Sequence, residues 1–500
     1  MVSALANYFR ASFPAVSIQT VDEERARLAV MGAAREAGKK VVVTWSAAEG
    51  AVSYDLSRGG MPPKVQVQNT HPLVNMCILK HGDAVFVLLD VQTWPLDRDP
   101  VTLRALRDFI AAGPARGSTV VFLGNGFTPH PSVAHLVATL EHDLPGPEDL
   151  QKIADQMAKD EDLPRPVSSD VVMAMSGLTG SEAENALGLS FVETGGFDPK
   201  VIYREKTAVV RRSGLLELVA PDPMGMANVG GLDVLKEWVR RRKRVWSKDA
   251  EKYGLAKPKG LLLVGVQGAG KSLAAKAIGT ELGVPTLRLD CGALFNMYIG
   301  ESERQTREVL KLAEAVSPCV LWADELEKGM AGMQGRQGDG GAARRVFATI
   351  LTWMQERKRS VFFVATANQV QDLPAELLRR GRFDEIFTVD LPSLADRKAI
   401  FEIHVRARKR KPAAFDLQAL AEISHGHTGA EIESAIDDGM FRAFDRGAEV
   451  TTDDIAAAVA DTVPLSVTAS EQVAAIRAWG SARGRAASSS RFEADPKAGD

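Results

Sequence analysis

Gly265-Val-Gln-Gly-Ala-Gly270-Lys271-Ser272 follows the apolar run Leu261 to Val264 and opens the helix-like segment Leu273 to Leu282. A strand that passes through a glycine-rich turn into a helix is the context a phosphate-binding loop requires. Backbone N–H groups of such a loop converge on a β-phosphate at the positive end of the helix. Gly265, Gln267, Gly268, Ala269, Gly270, Lys271 and Ser272, with Leu273 heading the helix, therefore form a candidate nucleotide cradle. Lys271 has the charge to neutralise the β- and γ-phosphates, and the Ser272 hydroxyl suits Mg2+.

Further along, Cys319-Val-Leu-Trp-Ala323 is an apolar run that ends in Asp324-Glu325. A buried parallel strand delivers its C-terminal residues to the sheet edge where ligands bind. Asp324 is there the candidate Mg2+ partner, through water, and Glu325 the group that orients and polarises an attacking water. A third run, Val361 to Ala365, ends in Thr366-Ala367-Asn368, and the Asn368 amide can hydrogen-bond the lytic water or the γ-phosphate. Leu378-Arg379-Arg380-Gly381-Arg382-Phe383-Asp384 then places three arginines in one glycine-containing turn, too close together to pair only with each other.

These elements, in this order, make the segment from Asn228 to about Asp438 resemble the AAA+ ATPases, and within them the AAA clade of hexameric protein unfoldases and remodellers. The resemblance implies a P-loop three-layer αβα domain with a helical lid. Asn228-Val229-Gly230-Gly-Leu232 looks like the adenine-side motif, Asn368 like the sensor-1 residue, and Arg379 and Arg382 like paired arginine fingers. His404 looks like the lid histidine near ribose and adenine, and Gly429-Ala430-Glu431 stands where the clade carries Gly-Ala-Asp or Gly-Ala-Glu. Fingers act from a neighbouring subunit, so the resemblance implies a homo-oligomeric ring, a hexamer in this clade, using ATP and Mg2+.

Composition is that of an ordinary globular chain, with 45% hydrophobic and 25% charged residues, which leaves no room for collagen, coiled-coil or disordered classes. A net charge of -3 gives no global pull towards nucleic acid. The basic runs Arg240 to Arg244 and Arg406 to Lys411 fall in helix-like segments, where solvated or subunit-facing charge is the default, so nucleic acid is not an expected partner. Cys77, Cys291 and Cys319 are scattered in or beside apolar runs and read as reduced core residues. With no signal-like N-terminus and no run of eighteen apolar residues, the expected location is the cytoplasm, without a membrane partner.

The first half echoes the second. Thr179-Gly180-Ser181-Glu182-Ala-Glu184-Asn-Ala186 repeats the residue types of Thr428-Gly429-Ala430-Glu431-Ile-Glu433-Ser-Ala435. Upstream, Val120 to Asn125 parallels the strand before Asn368, Ala84 to Asp90 the strand before Asp324, Val16 to Gln19 the strand before the phosphate loop, and Lys40 to Trp45 the run Thr286 to Asp290. Where the first copy should carry its phosphate loop it reads Thr20-Val-Asp22-Glu23-Glu24-Arg25, and three carboxylates repel a triphosphate. Val91 stands where a catalytic glutamate would, and no finger turn follows Asn125. The chain is thus expected to hold a degenerate AAA-like α/β domain over 1–215, without nucleotide, for ring assembly or partner binding. The large ATPase subdomain is expected over 216–395, the helical lid and C-terminal helices over 396–483, and a disordered tail over 484–500.

This layout narrows the resemblance to the AAA ATPase family first named as a hypothetical chloroplast open reading frame, of plastids, cyanobacteria and other bacteria. It covers nearly the whole chain and implies ATPase chemistry with the client left open. By the same resemblance, Tyr298 in Asn296-Met-Tyr-Ile-Gly300 is the candidate gripping residue of a pore loop, or else a plug in a subunit interface, and Lys328 to Gly341 a second pore loop. The expected function is ATP-driven remodelling of an unknown protein client; the alternatives are a nucleotide-controlled assembly switch or scaffold, and a nucleic-acid translocase or loader.

Overall fold

The computed structural model describes residues 1–46, 48, 50–56, 82–89, 99–124, 127–211, 214–245, 248–295, 301–328, 340–357, 359–371, 373–379 and 381–490. Asp90, Val91, Asn125, Cys77, Tyr298, Arg380 and the greater part of the expected second pore loop lie outside them. The chain forms two compact units, Met1–Lys206 and Thr207–Asp500.

The first unit is built on strands β1 (Ala15–Gln19), β2 (Val41–Ser46), β3 (Gly50–Asp55), β4 (Ala84–Leu89), β5 (Thr119–Gly124) and β6 (Val137–Glu141), in the spatial order β3-β2-β4-β5-β1-β6. All neighbours are parallel except the β2–β3 hairpin. The central strands carry β-branched and aromatic residues without polar alternation, because helices cover both faces of a parallel sheet. Phe86, Phe109 and Phe122 pack on one side, and Phe9, Ile18 and Val121 on the other.

The second unit contains β7 (Leu216–Val219), β8 (Gly260–Gly265), β9 (Thr286–Leu289), β10 (Cys319–Ala323), β11 (Val361–Ala367), β12 (Glu385–Val389) and β13 (Arg485–Ala486), in the order β13-β12-β8-β11-β10-β9-β7. Without its edge strands this sheet reads β12-β8-β11-β10-β9, and the first reads β6-β1-β5-β4-β2. The two have one topology, with β1, β2, β4 and β5 in the places of β8, β9, β10 and β11, as the internal echo predicts. The echo extends to the helices. Gly180–Thr194 and Gly429–Asp445 both start from a capping box, Thr179 with Glu182 and Thr428 with Glu431. The N-terminal unit is therefore an AAA-like α/β domain of degenerate sequence.

A lid follows the second sheet, made of helices Leu394–Ala407, Leu417–Ile423, Gly429–Asp445 and Thr452–Asp461 around Phe401, Leu420, Ile432, Ile436 and Ile455. Burying such a side chain contributes about 1.5–3 kcal/mol each. Close approach also decides one residue, since a Cβ on Gly439 would lie 3.0 Å from the backbone of Ile455.

Two expected boundaries shift. The first unit ends at Lys206 rather than 215, because Leu215 accepts the Asp290 N–H and β7 pairs antiparallel with β9, which ties both segments to the second sheet. The expected tail over 484–500 is ordered at its start: β13 pairs parallel with β12, and Ala487 is fully buried. The small Ala–Ala–Ser–Ser–Ser composition reads as disorder in sequence, yet small residues are what a close-packed sheet edge admits.

Candidate nucleotide site

The site lies at the C-terminal ends of β8, β10 and β11, where the strand order reverses. Parallel register aligns these tips: Ala323 stands beside Ala365, and Gly265 beside Val389. A Cβ on Gly265 would meet the Val389 carbonyl oxygen at 2.0 Å, so glycine alone fits there. Gly268 and Gly270 sit at φ +75° and +89°, the left-handed region that opens the loop towards the helix Lys271–Leu282.

Lys271 is 5% exposed, and its ammonium donates to the carbonyls of Gly265 and Val266 at 2.9 and 2.7 Å. Burial pushes its pKa down to about 8 against the opposing pull of Glu327, Asp324 and Glu325. A cation held in this way gains strongly from an anionic partner. Ser272 Oγ donates to Asp324 Oδ1 at 2.8 Å, and Thr366 Oγ1 donates to the same oxygen at 2.7 Å. Among the described residues no three His, Cys, Asp or Glu side chains gather into a metal cage. The Ser272–Asp324 pair of hard oxygens fits Mg2+, which takes few protein ligands and completes its shell with water and phosphate oxygens.

Glu325 sits at φ +50°, a conformation costly for a non-glycine residue and typical of functional sites. Thr366 Oγ1 accepts the Glu325 N–H at 2.9 Å, and Asn368 Nδ2 donates to Glu325 Oε1 at 3.0 Å. Lys328 meets the other carboxylate oxygen at 2.5 Å. Glu327, 5% exposed, accepts the Asn368 N–H at 2.8 Å, and burial raises its pKa.

A cavity of about 260 Å³ brings together Val229, Gly230, the loop Gln267 to Leu273, Glu325, Asn368, His404, Gly429 and Ala430. Every expected cradle residue therefore lines it except Gly265, which acts through its carbonyl behind Lys271; Asp324 reaches it through Ser272. Gly268 also accepts the Ala430 N–H at 3.2 Å, which joins the loop to the lid. His404 lies 3.3 Å from Glu433, and burial keeps its pKa below the usual histidine value against the pull of that carboxylate. Arg379 and Arg382 line a different cavity, with Lys259, Gln355 and Gly381. One guanidinium nitrogen of Arg382 is buried with no partner among the described residues.

Sequence reasoning missed Thr366, Glu327, Lys328 and the apolar walls Ile400 and Ile403. Thr366 stood in the quoted strand end without a role; its partners come from β10, which no local pattern discloses.

Half of the basic residues in the two basic runs pair within the unit: Arg240 with Glu281, Arg241 with Glu237, Arg406 with Glu402, Arg408 with Asp437 and Glu433, and Arg410 with Glu449. Cys291 and Cys319 are buried and unbridged, and burial pushes the Cys291 thiol up to about 12. Among the described residues no helix is long and apolar enough to cross a membrane.

In the first unit, the position of the phosphate loop is taken by a carboxylate. Asp22 is 3% exposed and accepts the Gly180 N–H at 2.8 Å, at the start of the helix that corresponds to Gly429–Asp445. Arg25 closes on the same oxygen at 3.1 Å.

Sheet order, phosphate loop, acidic strand tip and helical lid together define an AAA-type P-loop nucleotide-binding module. The family model described as ATPase family associated with various cellular activities (AAA) matches residues 261–391, and that of the SpoVK-like AAA ATPase N-terminal domain matches residues 1–142. The chain is 33% identical to the "Uncharacterized AAA domain-containing protein ycf46" of Pyropia yezoensis, over 96% of this chain and 97% of that protein. The ycf46 protein of Trieres chinensis is likewise 33% identical, over 97% of each chain. A proteasome-activating nucleotidase of Thermococcus onnurineus is 30% identical over 52% of this chain and 66% of its own. The chain belongs to the AAA ATPase family of these ycf46 proteins.

Proposed function

We propose that this protein hydrolyses ATP with Mg2+ as a homo-oligomeric ring and uses the energy to remodel a protein client. The observation that carries the reading is the split of the machinery: Glu325 and Asn368 share the cavity of Lys271, whereas Arg379 and Arg382 line another. Mg2+, held by Ser272 and Asp324, would offset phosphate charge. Glu325, oriented by Asn368 and Thr366, would hold the attacking water and draw off its proton, and Lys271 would neutralise the β- and γ-phosphates. Completion then falls to arginines from a neighbouring subunit, which supply positive charge at the γ-phosphate. The likeness to proteasome-activating nucleotidases, whose name couples a nucleotidase to a proteasome, supports a ring that acts on protein.

Steady-state ATPase activity against enzyme concentration tests this reading, since a ring-dependent enzyme loses specific activity on dilution and a self-sufficient monomer does not. The assembly-switch reading retains support from the first unit, a whole AAA-like domain in which Asp22, at the position that corresponds to the phosphate loop, bonds the Gly180 N–H. Tyr298→Ala discriminates: in a remodeller it leaves assembly and basal turnover intact and abolishes client-stimulated turnover, whereas in a switch it changes neither assembly nor client-dependent activity.

A further inference from the structure

The helix Asp233–Arg242 starts without a cap of its own, because the residue before it is Leu232, at φ +55°. Its orphan donors are satisfied from the far end of the chain. Val234 and Leu235 N–H groups both donate to the Ala487 carbonyl at 3.1 Å, and Leu232 N–H donates to Ser488 Oγ at 3.1 Å. Ser489 N–H donates to Asp233 Oδ1 at 2.7 Å, and Ala487 N–H to the Thr388 carbonyl at 2.9 Å. Beyond this, Ser490 Oγ lies 3.0 Å from Ser393 Oγ and 3.2 Å from Asp396 Oδ2, the pair that caps the first lid helix.

These two anchorages adjoin two segments that line the nucleotide cavity. Leu232 continues directly from Val229 and Gly230, while the helix capped by Ser393 carries Ile400, Ile403 and His404. The walls meet edge to edge: a Cβ on Gly230 would fall 2.4 Å from the Ile400 side chain, and one on Gly231 would fall 2.5 Å from Asp396. A second cavity, of about 550 Å³, is lined by Gly230, Ile400 and Gly429 together with Ser488 and Ser490. Polar bonds from the strap therefore reach both sides of the seam, Leu232 through Ser488 and the Ser393–Asp396 cap through Ser490.

We infer that Ser488 and Ser490 are positioning residues for nucleotide: by tying the Leu232 segment to the Ser393–Asp396 cap, they hold the adenine-side walls at the binding distance and set nucleotide affinity rather than the chemical step. This rests on the reading of the cavity as an ATP site. Each hydroxyl bond is modest, so its loss weakens binding without unfolding the sheet edge, which Ala487 secures through its backbone and its burial.

The test uses full-length protein and fluorescence titration with mant-ADP, alongside steady-state ATPase kinetics. Ser488→Ala/Ser490→Ala should weaken mant-ADP by on the order of tenfold and raise the KM for ATP similarly, with kcat held within about twofold. Ser490→Asp, which sets a second carboxylate against Asp396, should weaken it at least as much. Ser488→Thr/Ser490→Thr keeps both hydroxyls and should restore most of the affinity. Thermal unfolding without nucleotide reports whether each variant folds; should Ser490→Asp not fold, the alanine pair still decides. Unchanged affinity in the alanine pair, or a fall in kcat at unchanged affinity, overturns the strap while leaving the ATP site standing. Failure of the wild-type chain to bind mant-ADP overturns the ATP site and the strap with it.

Discussion

Asn368 Nδ2 donates to Glu325 Oε1 at 3.0 Å across 43 positions of sequence, from the tip of one strand to the tip of its neighbour. The bond leaves the second carboxylate oxygen of Glu325 to Lys328. Glu325→Gln keeps the shape and the Asn368 contact but cannot take a proton. We expect ATP binding to persist and kcat to fall by about 10² or more, the usual scale for removing a general base. Lys271→Ala should instead lose binding. Rapid-quench turnover beside equilibrium binding separates the two effects; near-normal turnover in Glu325→Gln would remove Glu325 from the mechanism.

Arg379→Ala and Arg382→Ala should each bind ATP normally and hydrolyse it slowly, because the missing charge serves a neighbour's site. Mixing either with Lys271→Ala should recover part of the activity, since some interfaces then join an intact loop to an intact finger. The readout is ATPase rate against mixing ratio, and a straight line between the two parents would count against action in trans.

Asp22, at the position that corresponds to the phosphate loop, accepts the Gly180 N–H in the first unit, and we expect it to exclude nucleotide there. Lys271→Ala in the full chain should therefore show no residual heat with millimolar Mg-ATP in calorimetry, as the first unit adds no second site. Asp22→Ala leaves the Gly180 N–H without its charged acceptor and should cost about 1.5–3 kcal/mol in the unfolding transition of residues 1–206, the range for hydrogen bonds to charged groups. Measurable nucleotide binding in Lys271→Ala would contradict the degenerate reading.

His142 supplies a pH dependence for the same unit. Burial, with Arg25 nearby, lowers its pKa from 6.5 to about 4. Between those values the unfolded chain binds the proton more readily than the folded one. Stability is thus full above pH 6.5 and declines as pH falls towards 4. His142→Gln, which carries no titrating group, should flatten this slope in thermal unfolding between pH 4 and 6.5; an unchanged slope would assign the dependence to other residues.

What could be read from the sequence alone were the features whose chemistry is local in the chain. The phosphate loop needs consecutive residues, so Gly265 to Leu273 was legible. The acidic tip Asp324-Glu325, the Asn368 tip and the repeat of Thr179 to Ala186 in Thr428 to Ala435 were legible for the same reason. Strand runs buried on both faces announced a parallel sheet, and their repetition in the first half, down to the missing loop, announced a degenerate copy.

Tertiary structure alone decided the contacts that close the site. Thr366 bonds Asp324 because β11 lies beside β10 in register, and Glu327 reaches the Asn368 backbone across the same pair. Asp22 meets Gly180 across 158 positions, and Ser488 meets Leu232 across 256. None of these pairs carries a periodic or compositional signal, because a hydrogen bond depends on two groups lying within about 3 Å of each other, and strand order, not spacing along the chain, sets that distance. The serine-rich end therefore resembles a disordered tail in one dimension and is a structural strap in three.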